Sequence, residues 1–174
     1  MTKKPLVGII MGSDSDLSVM QEAAKVLEEF GVPYEMTLLS AHRSPARAAE
    51  YAGTAVARGL KIIIGGAGVA AHLAGAIAAQ TTLPVIGVPI ESGALKGVDA
   101  LFATVQMPPG IPVATVAING AKNAGLLAVQ ILATADKKLQ AKFVEYKKGL
   151  EKTLVAKAEK LEKIGFEKYL KESK

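Results

Sequence analysis

Between Leu39 and Pro45 the chain presents a hydroxyl at Ser40, an imidazole at His42 and a guanidinium at Arg43. Imidazole is the side chain that ordinarily gains and loses a proton near neutral pH, and guanidinium offers phosphate or carboxylate a fixed fork of donors. Together they suit proton transfer on an anionic substrate, although a His-Arg pair by itself would serve equally well to solvate a loop. A second polar run, Gly12-Ser13-Asp14-Ser15-Asp16, follows the apolar segment Leu6–Met11. Hydroxyls and backbone N–H groups at a helix start can hold an anion, and a carboxylate there can accept from sugar hydroxyls. N-capping accounts for one Ser or Asp, but not for four polar residues in a row. A third run, Gly65-Gly66-Ala67-Gly68-Val69-Ala70-Ala71-His72, places glycines where they would permit positive φ and let a ligand approach the backbone. Gly66 to Ala71 also matches a dinucleotide-binding fingerprint, with Glu91 about 20 residues further on. That match falls in the third strand-to-helix turn rather than the first, and His72, in an apolar stretch, reads equally as a hydrogen-bonded core histidine.

These runs gain weight from the elements that carry them. Leu6–Met11 is a continuous apolar run of strand length, as expected for a strand buried on both faces, and Tyr34–Leu39, Lys61–Ile64, Pro84–Pro89 and Val113–Ile118 read as further strands. Helical spacing follows each one, through Val19, Ala23, Val26, Leu27 and Phe30, then over Pro45–Arg58, Ala70–Ala79, Val98–Val105 and Ala121–Ala133. Alternating strands and helices predict βαβ units, hence a three-layer α/β fold with a doubly wound parallel sheet of flavodoxin-like type. In such sheets ligands bind beyond the carboxyl ends of the strands, where all three polar runs fall. From Asp136 the pattern becomes one long amphipathic helix, with Leu139, Phe143, Tyr146, Leu150, Leu154 and Leu161 on a stripe, then Gly165 and a short helix to about Leu170. The expected division is a catalytic domain at 1–135 and a helical extension of it at 136–174, whose stripe packs partly on a neighbouring subunit. The proline-dense stretch Val105–Val113 reads as a stiff connection, and Asn119 and Asn123 read as helix caps.

Composition narrows the function classes. At 174 residues the chain fits one domain. With 50% hydrophobic but 5% aromatic residues, its core must be built from Ala, Val, Ile and Leu. No apolar run reaches membrane-span length, and Met1-Thr2-Lys3-Lys4-Pro5 carries no cleavable signal pattern, so a cytoplasmic protein without a membrane partner is expected. The absence of Cys excludes disulfides, thiolate catalysis and cysteine zinc sites, and two His cannot make a His-rich metal site. The net charge of +5 resides in the tail, where twelve Lys against six Glu from Lys137 onward give +6 and leave −1 for the rest. Mixed Lys and Glu at helical spacing describe a solvated face, not a nucleic-acid surface.

The segments Met11–Asp16, Ser40–Pro45, Gly66–Gly68 with Ala70–Leu73, Leu83–Pro89 and Val105–Pro108, in this order, resemble the bacterial 5-(carboxyamino)imidazole ribonucleotide mutase family of PurE type, from about Leu6 to Leu132. The resemblance implies a step of purine biosynthesis in which a carboxylate moves from the exocyclic amine of a phosphoribosyl aminoimidazole to ring carbon 4. It implies a nucleotide substrate, a homo-octamer, and neither metal nor organic cofactor. Arg43, where the carbon dioxide-using branch of the superfamily carries Lys, points to the mutase branch. By the same resemblance His42 is the catalytic histidine, Arg43 binds phosphate, Ser13 and Asp16 bind substrate in the first turn, and Ser40, Gly68 and His72 complete the substrate site. The chain departs from the family pattern at Val69, Ala74 and Ala76, where the family has Gly, Pro and Met. A positive φ at Val69 would strain the loop, whereas a negative φ would leave its methyl groups narrowing the pocket. An altered pocket that binds the nucleotide without turnover and a dinucleotide-dependent enzyme are the rival readings.

Overall fold

The apolar segments become strands because they have no other place to go: in the computed structural model, which describes residues 4–172, every residue of β1 (Val7–Met11) and β4 (Val85–Ile90) is buried. With β2 (Tyr34–Leu38), β3 (Ile62–Gly68) and β5 (Ala114–Thr115) they form one sheet in the order β2-β1-β3-β4-β5, parallel throughout. Connecting parallel strands requires crossovers, here α1 (Leu17–Phe30), α2 (Pro45–Arg58), α3 (Leu73–Ala78) and α4 (Val98–Val105), with α5 (Ala121–Ala133) after the last strand. Strand alternation sends Ile10 and Ile63 into a core with Ala48, Ala52 and Ala55 of α2 and Leu73, Ala74 and Ile77 of α3. On the opposite face α1 and α5 pack closely enough that a Cβ on Gly125 would stand 3.0 Å from Cβ of Val26. The result is the three-layer, doubly wound arrangement expected from the pattern.

The short side chains set the layer spacing. Gly31 (φ 72) and Gly59 (φ 98) end α1 and α2 in the left-handed conformation that a helix C-terminus favours. Inside the sheet glycine acts differently. A Cβ on Gly66 would lie 2.3 Å from Sδ of the fully buried Met20, and one on Gly87 would lie 2.3 Å from Cγ2 of Thr104. These residues are glycine because helices press on them.

Three elements differ from the sequence expectation. β3 does not end at Ile64 but runs through Gly68, since Gly65 to Gly68 pair residue for residue with Gly87 to Ile90. Glycine lowers strand propensity, yet strands on both sides hold the backbone of Gly65 and Gly66, and β4 alone that of Gly68. β5 shrinks from the expected Val113–Ile118 to Ala114–Thr115, an edge strand with one neighbour and a preceding Pro112 that lacks an N–H. The helix expected from Ala70 begins at Leu73, after tight turns in which the Ala71 and His72 amides donate to Val69 and Ala70 carbonyls.

The chain divides into two compact units, the second starting at Ala133. In it α6 (Lys137–Ile164) is capped by Asp136, whose carboxylate accepts from the amides of Lys138 and Leu139 at 2.9 and 3.0 Å. Gly165 breaks the helix, and α7 (Phe166–Glu172) folds back so that Glu172 pairs with Lys160 at 2.8 Å. Leu150 and Leu154 of the apolar stripe are exposed in the single chain. Among the described residues no helix is long and apolar enough to cross a membrane; the expectation about the start Met1-Thr2-Lys3 lies outside the described residues.

The tightness at Gly87 generates a stability prediction. Thr104 is β-branched, buried, and held by its hydroxyl donating to the Ala100 carbonyl at 2.7 Å, so it cannot swing aside. Gly87→Ala is expected to cost about 1–3 kcal/mol, lowering the melting temperature by roughly 2–4 °C per kcal/mol. An unchanged melt at matched protein concentration would show that the sheet and α4 can separate freely.

Candidate functional site

The turn after β1 is built by its own polar side chains. Ser13 caps a 3₁₀ turn, Asp14–Asp16, its hydroxyl accepting from the Ser15 amide, while the Asp16 carboxylate accepts from the Ser13 amide at 3.1 Å. Capping therefore uses more of this run than the sequence suggested. Burial pushes the Asp16 carboxyl above its ordinary pKa, and bonds from Ser13, Ser15 and Gly12 together with the Arg43 charge pull it partly back. Because the folded value is raised, this contribution to stability is present below the unfolded pKa and is lost as pH rises through the folded one.

The turn after β2 is held to the first. Leu39 is buried, its amide donating to the Met11 carbonyl at 2.9 Å, and Ser40 and Ser44 close the turn through bonds from the Arg43 amide to the Ser40 hydroxyl and from the Ser40 amide to the Ser44 hydroxyl, both 3.1 Å. Pro45 then opens α2 at a position where its missing N–H costs nothing. This leaves His42 and Arg43 projecting, and the guanidinium donates to the carbonyl of Gly12. His42 Nε2 lies 3.0 Å from His72 Nδ1 with the rings edge to face, so one ring donates and the other accepts.

The turn after β3 corrects two expectations. Gly65, Gly66 and Gly68 stand inside a paired strand with φ outside the left-handed region, so they are not the turn glycines a dinucleotide fingerprint requires, and that reading fails. The left-handed residue is Val69, at φ 53. His72 is not a core histidine: it is exposed, at the entry to α3, against His42. Ala74 is buried, 3.5 Å from where a Cβ on Gly65 would stand, and Ala76 is exposed.

These turns enclose a cleft of about 340 Å³ at the carboxyl edge of the sheet, next to the β1/β3 boundary where the strand order reverses. Ser13, Asp16, Ser40, His42, Arg43 and Gly68 line it, while His72 reaches it only through His42. Val69, Ala70, Leu73 and Ser92 also line it. Ser92 was not foreseen, although it stands just beyond the end of β4, at the same edge as the other turns; its Cβ would be 3.1 Å from one added to Gly68.

A model of the AIR carboxylase family matches residues 6–153. Among related proteins, the N5-carboxyaminoimidazole ribonucleotide mutase of Pyrococcus horikoshii is 60% identical over 171 residues, covering 98% of this chain and 97% of its own. The phosphoribosylaminoimidazole carboxylase of Schizosaccharomyces pombe is 56% identical over 167 residues, which are 96% of this chain and 30% of that longer protein. Among solved structures, Treponema denticola PurE has a TM-score of 0.81 at 29% identity, covering 93% of this chain and 99% of that one.

Val69 is the strained member of the cleft. A β-branched residue at positive φ costs on the order of 1–3 kcal/mol, and a side chain 52% exposed recovers little of that through burial. Glycine would remove the strain at an entropic cost of up to about 1 kcal/mol. Val69→Gly is therefore expected to raise the melting temperature by a few degrees; a lower melting temperature would mean that the isopropyl group contributes more through contacts than it costs in conformation.

Proposed function

Because this chain belongs to the AIR carboxylase family, we propose that it is an N5-carboxyaminoimidazole ribonucleotide mutase, an isomerase of purine biosynthesis that moves a carboxylate from the exocyclic amine to ring carbon 4 of a phosphoribosyl aminoimidazole. The observation that carries this reading is one cleft in which His42 and Arg43 stand beside Ser13 and Asp16, in a chain 60% identical to a protein named for that reaction. Arg43 in place of lysine favours the same branch.

The chemistry balances without an outside reagent. The bond from the exocyclic nitrogen to the carboxylate carbon breaks, carbon dioxide leaves, and His42 delivers a proton to that nitrogen. Ring carbon 4, made nucleophilic by the amine, forms a bond to the trapped carbon dioxide, and His42 then takes the proton that carbon 4 carried. One imidazole gives and recovers one proton, and nothing is oxidised, so no metal or organic cofactor is needed. His72, 3.0 Å from His42, orients the ring. Arg43 takes the phosphate with the donors that Gly12 leaves free, Ser13 and Asp16 take the sugar side of the nucleotide, and Ser40 and Gly68 contact substrate across the cleft. Val69, Ala70 and Leu73 form the apolar side that keeps carbon dioxide beside carbon 4.

In this reading residues 1–135 carry the reaction and 136–174 serve assembly, in a cytoplasmic homo-octamer. Assembly is supported by exposed apolar surface, with Val98, Phe102 and Val105 at helical spacing along α4, Leu95 in the turn before it, and Leu150, Leu154 and Leu161 along α6; the number eight rests on the family resemblance. Light scattering is expected to give the octamer mass, and a monomer at micromolar concentration would defeat the assembly proposal.

The test of function is conversion of the carboxyamino nucleotide to the carbon-4 carboxylate. His42→Asn is expected to lose at least about a hundredfold in rate with an unchanged melting curve, because an exposed turn residue contributes little to the core. Near-normal turnover would remove His42 as the proton carrier, and tight binding of the nucleotide by the unaltered chain without conversion would favour the non-catalytic reading.

A further inference from the structure

Asn119 does something other than cap a helix. It stands in the left-handed region (φ 58) between β5 and α5, and its side chain turns to the loop that follows β4. Its Oδ1 accepts from the Glu91 amide at 2.9 Å, its Nδ2 donates to the Glu91 carboxylate at 3.3 Å, and its own amide donates to the Pro89 carbonyl at 2.9 Å. With the Val116 amide donating to Gly87 at 3.0 Å, these bonds carry the β4–β5 connection beyond the two residues of β5.

Glu91 is the root of a loop that would otherwise be poorly defined. Gly93 (φ 62), Lys96 (φ 52) and Gly97 (φ 85) are all left-handed, and the loop closes on its own start so tightly that a Cβ on Gly97 would lie 3.0 Å from Cα of Glu91. The residue next to Glu91 is Ser92, which lines the cleft and packs on Gly68. A continuous path thus runs from Asn119 through the Glu91 backbone to the Ser92 wall.

We infer that Asn119 is a positioning residue for the reaction: without touching the cleft, it fixes Ser92 through Glu91. The inference rests on the mutase reading for its kinetic consequence, since displacement of a wall by about 1 Å can cost up to about a hundredfold in rate.

Asn119→Gly keeps the left-handed backbone and removes both side-chain bonds, whereas Asn119→Asp keeps the acceptor for the Glu91 amide and loses the donor. Two readouts decide the matter: hydrogen exchange of the amides of residues 91–97 without substrate, and kcat and KM for the carboxyamino nucleotide, alone and combined with Ser92→Ala. Asn119→Gly is expected to speed exchange in the loop about tenfold or more and to lower kcat/KM about tenfold at a nearly unchanged melting temperature. Asn119→Asp should recover only part of the loss, because it restores the acceptor for the Glu91 amide but sets its carboxylate against that of Glu91. In the Ser92→Ala background the Asn119→Gly effect should shrink to below about twofold, the signature of residues acting through one another. Unchanged loop exchange, or losses that multiply independently in the double variant, would overturn the inference. Should Asn119→Gly not fold, the smaller loss in Asn119→Asp is put through the same cycle with the same criterion. Absence of turnover in the unaltered chain counts against the mutase reading alone, and loop exchange then decides the role of Asn119.

Discussion

Gly65 and Gly66 leave the centre of the sheet without side chains on either face, and the packing around the cleft depends on that bare strip. Met20 of α1 fills the space over Gly66 and Ala74 of α3 the space over Gly65, with contacts that leave no room for a methyl group at Gly66. Interiors are packed too densely to absorb such a change by small adjustments everywhere. The helices therefore enter close to the strand ends, and the turns after β1 and β3 face each other across a narrow gap. β2 lies on the other side of β1, and the Leu39 amide on the Met11 carbonyl brings the His42 turn to the same edge.

The sheet and its crossovers were legible because a buried parallel strand leaves a continuous apolar run, and Pro or Gly punctuates each one. What was misread follows from treating glycine as punctuation everywhere. Gly31 and Gly59 do end helices, but Gly65, Gly66 and Gly68 are paired strand residues whose identity reflects neighbours distant in sequence, Met20, Ala74 and Ser92. Edge status also leaves no local mark: the Val113–Ile118 run looks like the buried strands, but only one strand pairs with it.

The cleft was legible where chemistry needs unusual residue types, at Ser13, Asp16, His42 and Arg43. It was not legible where ordinary residues form the wall. Ser92 differs in nothing from a solvent serine until β4 is placed beside β3, and the bonds from Asn119 to Glu91 appear only when the ends of β4 and β5 are adjacent in space. The sign of φ at Val69 is likewise a property of the turn, and the sequence alone left both alternatives open.

The bond from Arg43 to the Gly12 carbonyl has a consequence for the entropy of association. A free arginine side chain carries about 2 kcal/mol of rotamer entropy, which an anion would ordinarily have to remove on arrival. Here part of that freedom is surrendered when the turn folds, through the one bond to the Gly12 carbonyl. An anion entering beside Arg43 meets a guanidinium already tied to the turn at one nitrogen, so its binding is opposed by less side-chain ordering than a free arginine would impose.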